Sequence, residues 1–281
     1  MELPHIDGVC FTGSTQVARI INRTLAAKDG PIIPLIAETG GLNGMFVDTS
    51  ALMEQVVDDV MLSAFGSAGQ RCSALRVLFL PEETAGNFIE GLKGAMDSLR
   101  LGDPWNASSD LGPVIDEEAC EMLEDHLKDM GDRVIHRAPM AEDLKDKGRY
   151  VAPALVELKS VDEIIEEKFG PILHVVRYKR DQLGEIAAKF HAKGYGLTLG
   201  VHSRLDRFFN TVREAVPAGN VYVNRNITGA VVGVQPFGGE GLSGTGPKAG
   251  GPHYIYRFAA ERAVTINISA QGGDPELLSL D

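Results

Sequence analysis

The chain has 281 residues, enough for one large domain or two smaller ones around a sizeable core. With 44% hydrophobic and 23% charged residues its make-up is that of an ordinary globular protein. The formal net charge of −12 speaks against bulk attraction to nucleic acid or to an anionic membrane, so neither is expected as a partner.

Three cysteines, Cys10, Cys72 and Cys120, form an odd count without CxxC spacing, which fits a reducing cytoplasm better than a disulfide framework or a zinc site. No apolar run approaches the ~20 residues of a membrane span, and the start MELPHIDGVCF lacks the regions of a signal peptide. A cytoplasmic location is expected.

Strand-like and helix-like runs alternate throughout, the pattern of an α/β protein. Residues 8–12, GVCFT, read as a buried strand with nothing before it to pair with, so the chain is expected to begin in mid-domain. Ser14 to Ala27 reads as a helix and Ile32 to Ala37 as a second strand. Leu52, Val56, Val57, Val60, Met61 and Ala64 recur at helical spacing after the capping candidates Thr49 and Ser50. Arg76 to Leu80 reads as a strand stopped by Pro81, and Phe88, Ile89, Leu92 and Met96 mark another helix.

A turn-rich loop, LGDPWNASSDLGPVID, leads to a helix around 116–130. Strands are expected at Val151 to Glu157, Ile172 to Tyr178, Leu197 to His202 and Asn220 to Val223, with helices near 180–192 and 204–215. The glycine-rich segment 224–252 is long for a structureless connection, which points to a function. The run RAVTINISA, residues 262–270, is β-prone and precedes a polar tail.

Several stretches could carry chemistry. In GSAGQRCSALR, residues 66–76, small residues let a backbone approach a ligand, and Arg71 could favour a Cys72 thiolate. A small packed core thiol is the alternative. FTGST, residues 11–15, is a strand, a tight turn and a helix start whose N–H groups suit a phosphate, or simply a helix cap. PLIAETGG sets Glu38 at the mouth of an apolar strand, where a raised pKa suits a general base and a solvated turn is the alternative. His5, His126, His136, His191, His202 and His253 are scattered without ligand spacing and read mostly as surface or loop residues.

Taken in order and spacing, FTGST, ETGG, GQRC, GDP followed by GP, EEKFGP and PFGG resemble the aldehyde dehydrogenase superfamily over nearly the whole chain. More narrowly, AETGG, GSAGQRCSALR, VNRNITGAVVGVQPFGGEGLSGTGPKAGGP and the ending GGDPELLSL resemble the 1-pyrroline-5-carboxylate (glutamate-γ-semialdehyde) dehydrogenases. Among these they are similar to the module that a bifunctional proline utilization chain joins to proline dehydrogenase.

The resemblance implies an aldehyde dehydrogenase-like catalytic domain, an open and mostly parallel sheet with flanking helices, over residues 41–258. Residues 1–40 would be the end of a Rossmann-like cofactor domain, and residues 259–281 an oligomerisation strand and tail. It implies NAD-dependent oxidation of a small aldehyde, with Cys72 as nucleophile and Glu38 as the base that activates water for thioester hydrolysis. Gly13 and Ser14 match the phosphate-contacting turn, Glu167 the carboxylate on the nicotinamide ribose, and Phe169 its packing partner. The family's later glycine is Ala18 here, so only the first positions carry over. Ser73, Gly229 and Ala230 match the groups that anchor a substrate α-carboxylate, and Phe237 would wall the aldehyde pocket. No metal is implied.

The family's oxyanion-hole asparagine and opening dinucleotide-domain strands would lie before FTGST, so a truncated chain of little activity is expected. A homo-oligomer paired through 262–270 and a proline dehydrogenase domain in the parent chain are the expected partners. A catalytically silent structural fragment, an aldehyde dehydrogenase of another substrate class and a thiol acyltransferase or hydrolase are the alternatives. Glu167 with Phe169 argues against the last, because acyl transfer has no use for a ribose clamp.

Overall fold

The computed structural model describes residues 5–144, 146–267, 276 and 279. Strand β1 (Val9–Thr12) leads through Gly13 and Ser14 into helix α1 (Thr15–Ala26), which Ser14 caps by accepting from the Val17 N–H. Strand β2 (Leu35–Glu38) lies parallel to β1 in a two-stranded sheet, Thr12 opposite Glu38. It starts three residues after Ile32, the start that the sequence suggests, because Pro34 supplies no N–H for a ladder and leaves Ile32 exposed.

The main sheet is built from the rest of the chain. Strand β3 (Asn43–Val47) precedes helix α2 (Met53–Phe65), strand β4 (Leu75–Pro81) and helix α3 (Glu82–Asp97). Helix α4 (Glu117–Met130) precedes strands β5 (Val134–Arg137), β6 (Ala154–Leu158) and β7 (Ile172–Tyr178). Helix α5 (Leu183–His191), the short strand β8 (Tyr195–Gly196), strand β9 (Thr198–His202), helix α6 (Asp206–Ala215) and strand β10 (Asn220–Val223) complete it, with the short β11 (Glu240–Gly241) pairing β8. Among the described residues the strand order is β10-β9-β3-β4-β7-β6-β5, parallel throughout except at the β5–β6 edge.

Both faces are covered, so the central strands are buried on both sides and read as near-continuous apolar runs. Met45, Leu78 and Leu80 face α2 and α3 through Val56, Val60, Ile89 and Leu92. Phe46, Val77 and Phe79 face the other way, against Leu123 of α4, Phe190 of α5 and Val212 of α6. Phe46 stacks on Phe79 with centroids 4.2 Å apart, and the Phe190 ring meets both edge-on.

Three local expectations need correction. The capping candidates Thr49 and Ser50 do not cap α2; the helix begins at Met53, and the Ser50 hydroxyl donates to Asp48 instead, at 2.5 Å. His202 is not at the surface but 1% exposed, since it ends the central strand β9. Residues 262–267 are exposed and form no strand in the single chain; residues 268–270 of that run lie outside the described residues. Among the described residues no helix is long and apolar enough to cross a membrane.

This topology places the site. Strands β3, β4 and β7 are parallel neighbours, so the segments entering them meet at one end of the sheet. Those segments are Thr39–Leu42, Gln70–Ala74 and Glu166–Pro171. The carboxyl end of β2 delivers Glu38 to the same place.

Candidate active site

Helix α2 runs directly into the cysteine turn. Ser67 and Ala68 adopt the left-handed conformation at φ of 56° and 53°, an uncommon state for residues with side chains that is most often held at functional turns. Gly69 follows at φ 65°, its backbone packed on that of Gly170 so closely that a Cβ would strike the Gly170 carbonyl. The turn closes when the Ala74 N–H donates to the Arg71 carbonyl at 3.0 Å.

Asn43, 1% exposed on β3, anchors the cysteine segment. Its Nδ2 donates to the carbonyls of Cys72 (2.7 Å) and Ala74 (2.8 Å), and its Oδ1 accepts from the Thr198 N–H (3.0 Å). The Thr198 hydroxyl donates to the Ser73 carbonyl at 3.3 Å. The Cys72–Ala74 backbone is thus held from two neighbouring strands.

The Cys72 thiol is largely buried, and burial pushes its pKa up. The negative charge of Glu167 raises it further, and that of Glu38 adds to this, while the N–H groups of Ser73 and Cys72 itself pull the other way. Arg71 does not supply the expected help: its side chain is exposed and its Nε donates to the Ser67 hydroxyl at 3.0 Å.

The buried cation beside the thiol is Arg76, at the start of β4 and 1% exposed. Its Nε and Nη2 both donate to Glu167 Oε1, at 3.2 and 3.1 Å. Nη1 donates to the Gly170 carbonyl at 3.0 Å and Nη2 to the Arg71 carbonyl at 3.2 Å. Glu167 Oε2 accepts from the Gly41 N–H at 3.0 Å. Burial raises the Glu167 pKa, with Arg76 opposing the shift. The Phe169 ring sits 5.2 Å from the Arg76 guanidinium carbon and is 39% exposed.

Glu38 occupies a slot made of glycine backbone. Its Oε2 accepts from the Gly239 N–H at 2.9 Å. A Cβ at Gly238 or Gly244 would come within 3.0 and 2.9 Å of its carboxylate oxygens. Oε1 is buried without a hydrogen-bond partner among the described residues. Burial raises the Glu38 pKa, opposed by the Gly239 N–H and then by Lys248.

The structure therefore brings Cys72, Ser73, Glu38 and Glu167 together. The Gly13 N–H donates to the Glu38 carbonyl at 3.1 Å, which ties the exposed Gly13–Ser14 turn to the same cluster. Phe237 pairs with Ala249 next to the Glu38 slot. Gly229 and Ala230 stand on the segment after β10, with Gly229 exposed and open space where its side chain would be. Sequence reasoning missed Asn43 and Arg76, although a charged residue at the head of an otherwise apolar strand was a usable signal for Arg76.

The sequence profile of the aldehyde dehydrogenase family matches residues 1–264, and the chain belongs to that family. The chain is 52% identical over 285 residues to the bifunctional protein PutA of Klebsiella aerogenes, covering 97% of this chain and 22% of that one. It is 53% identical over 279 residues to PutA of Escherichia coli, covering 95% and 21%. A crystal structure of proline utilization A from Bradyrhizobium japonicum superposes with a TM-score of 0.90 at 56% identity, covering 96% of this chain and 28% of that one. A Thermus 1-pyrroline-5-carboxylate dehydrogenase with bound NAD gives 0.83 at 32% identity, covering 92% and 50%. The chain thus spans about a fifth of the length of these curated relatives.

Proposed function

We propose that this chain carries the catalytic part of an NAD-dependent oxidation of L-glutamate γ-semialdehyde, the open form of 1-pyrroline-5-carboxylate, to L-glutamate. The observation that carries the reading is the Cys72 turn, held by Asn43 and Thr198 at the end of the sheet where the Glu38 and Glu167 carboxylates are also held. The names of the PutA and 1-pyrroline-5-carboxylate dehydrogenase relatives support the substrate.

The residues present fit a dinucleotide. The amino end of α1 leaves backbone N–H groups beside exposed Gly13 and Ser14, suited to a phosphate. Glu167 offers a carboxylate for ribose hydroxyls, and the exposed part of Phe169 a ring to pack beside them. The chemistry supplied by bound NAD is acceptance of the hydride from the thiohemiacetal, which leaves a thioester on Cys72.

The chain's own residues do the rest. The Cys72 sulfur, once deprotonated, adds to the aldehyde carbon, and backbone N–H groups of the turn face the oxygen that gains charge. Glu38 Oε1 has no competing donor, so it is the acceptor for a proton of the hydrolytic water, and burial lifts its pKa toward that task. Water oxygen bonds to the thioester carbon, the C–S bond breaks, and Cys72 is restored as the acid leaves. Ser73, Gly229 and Ala230 anchor the substrate's α-carboxylate, and Phe237 walls the aldehyde pocket.

A proline dehydrogenase domain in the same polypeptide, a cytoplasmic location and self-association through 262–270 belong to this reading. The test is made in a full-length parent protein with NAD and the semialdehyde. Cys72→Ala abolishes NADH formation, and Glu38→Gln gives one burst of NADH followed by arrest at the thioester. Steady turnover by Cys72→Ala overturns the proposal.

A further inference from the structure

Helix α2 ends where the cysteine turn begins, so its placement sets the placement of Cys72. The same helix carries Gln55, Asp59 and Ser63 at four-residue spacing, a single polar stripe along its length. Gln55 and Ser63, at its two ends, grip the backbone of one turn. Gln55 Nε2 donates to the Asn224 carbonyl at 2.7 Å. The Asp59 carboxylate lies between them on the stripe, its Oδ2 3.5 Å from the His202 Nε2 at the end of β9. The Ser63 hydroxyl oxygen accepts from the Ile227 N–H at 3.0 Å, while its own proton goes to the Asp59 carbonyl at 2.5 Å.

The far side of the turn is held as well. The Asn224 side chain exchanges two bonds of 2.9 Å with the Ser203 backbone, and its own backbone is left-handed at φ 53°. Both ends of the turn, Asn224 and Ile227, are therefore bound by groups outside it. A connection that merely left strand β10 for the surface would need none of this. Ile227 is buried, and directly beyond it come buried Thr228 and then Gly229 at φ 75°.

We infer that the Gln55–Asp59–Ser63 stripe is a positioning device that fixes the Gly229–Ala230 loop relative to Cys72 and so selects aldehydes bearing a carboxylate at one distance from the reacting carbon. This rests on the proposed role of Gly229 and Ala230. One helix holds both ends of the substrate: the reacting carbon through its last turn, the anionic end through its stripe. A displacement of α2 moves both anchor points together and preserves their separation. The three are positioning residues, since none is assigned a contact with substrate.

The test uses a full-length parent protein and four variants: Gln55→Ala, Asp59→Asn, Ser63→Ala and Gly229→Val. KM and kcat are measured for L-glutamate γ-semialdehyde and for propanal, alongside amide hydrogen exchange at Asn226 and Ile227. Ser63→Ala is expected to raise KM for the semialdehyde about fivefold, as the loss of one buried hydrogen bond implies. Its KM for propanal and both kcat values stay within about twofold of the parent, and exchange at Ile227 quickens. Gln55 is exposed, so Gln55→Ala keeps the fold and carries the test should Ser63→Ala fail to fold; it gives a smaller change in the same direction. If Gly229→Val raises KM selectively for the semialdehyde while the stripe variants do not, the inference is overturned and the reading of the loop stands. Equal effects of Gly229→Val on both aldehydes overturn the reading of the loop, and the inference with it.

Discussion

The Arg76 guanidinium and the Glu167 carboxylate lie 3.1 Å apart, with side chains 1% and 12% exposed. Arg76 reaches in three directions from that position: to Glu167, to the carbonyl just before Cys72, and to Gly170 at the end of the EEKFGP turn. The pair therefore joins two loops that come from distant parts of the chain. Its worth lies in that geometry, because a buried ion pair regains in attraction only what it lost in hydration.

Arg76→Leu strands a buried carboxylate and is expected to cost about 3–5 kcal/mol in urea unfolding. Arg76→Lys recovers little, since an ammonium lacks the planar fork that serves three acceptors. Arg76→Leu combined with Glu167→Leu regains much of the loss. A double variant as unstable as the single one would show that the arginine acts through its carbonyl contacts instead.

Cys72 alkylation reports the electrostatics directly. Burial, Glu167 and Glu38 hold its pKa above the ordinary 9.0, so the iodoacetamide rate keeps rising with pH through about 9 without levelling off. Glu167→Gln removes the nearby negative charge with the greater effect on Cys72 and quickens alkylation several-fold near pH 8. A plateau near neutral pH would mean the thiolate is already stabilised in the resting site.

Asn43 offers a sharper test, because its amide must donate on one side and accept on the other. Asn43→Ala leaves buried carbonyls and one N–H unpaired, at about 1–3 kcal/mol for each unsatisfied group. Asn43→Asp keeps the acceptor for Thr198 but turns a carboxylate oxygen toward two carbonyls, so it is expected to be the less stable of the two near neutral pH. Its deficit shrinks on mild acidification, when the new acid can protonate and donate. Thermal melts across pH decide the order.

Acid stability follows from two buried histidines. His174 donates its Nδ1–H to the Arg76 carbonyl at 3.2 Å and receives the His126 Nε2–H at 3.0 Å, a tautomer assigned from the network. Burial pushes His174 down to about 3 and His202 down to about 4, from an ordinary 6.5. Below 6.5 the unfolded chain takes up protons that the folded chain refuses. The contribution is therefore complete above that pH and lost as the pH falls, at up to ~1.4 kcal/mol per pH unit for each ring. Glu38 and Glu167, raised by burial, work in the opposite sense at the acid end, so the decline is clearest in the upper part of the window. Urea midpoints that stay level between about pH 7 and 5 would contradict this account.

Strands Ile172–Tyr178 and Asn220–Val223 stand where their apolar runs place them, and the cysteine, the glutamates and their glycine neighbours were legible as motifs. Strand β3 was not. It opens with Asn-Gly, a turn signal by residue type, and is a strand because β4 and β9 clasp it on both sides. Strand β5 is a half-exposed antiparallel edge of four residues, too short to show a period. Asn43 escaped notice for a related reason: its partner Thr198 is 155 residues away, and no local pattern reports such a contact. The glycine-rich segment reads as an ordered loop with a purpose, but only the fold shows that its glycines make room for the Glu38 carboxylate.

Gly69 and Gly170 touch backbone to backbone, and that contact divides the site into parts that can change and parts that cannot. At that point no side chain stands between the cysteine turn and the turn carrying Glu167 and Phe169, so a side chain added at Gly69 would strike the Gly170 carbonyl and force the two apart. An insertion in either turn would pull the Cys72 sulfur and the Glu167 carboxylate out of register at once. The stretch from Gly229 to Val234 is under no such constraint: Gly229, Gly233 and the valines around them face solvent. Sequence change on this scaffold is thus easier along that rim than at the Gly69–Gly170 contact, and on the proposed reading aldehyde choice can drift while the spacing of Cys72 and Glu167 is kept.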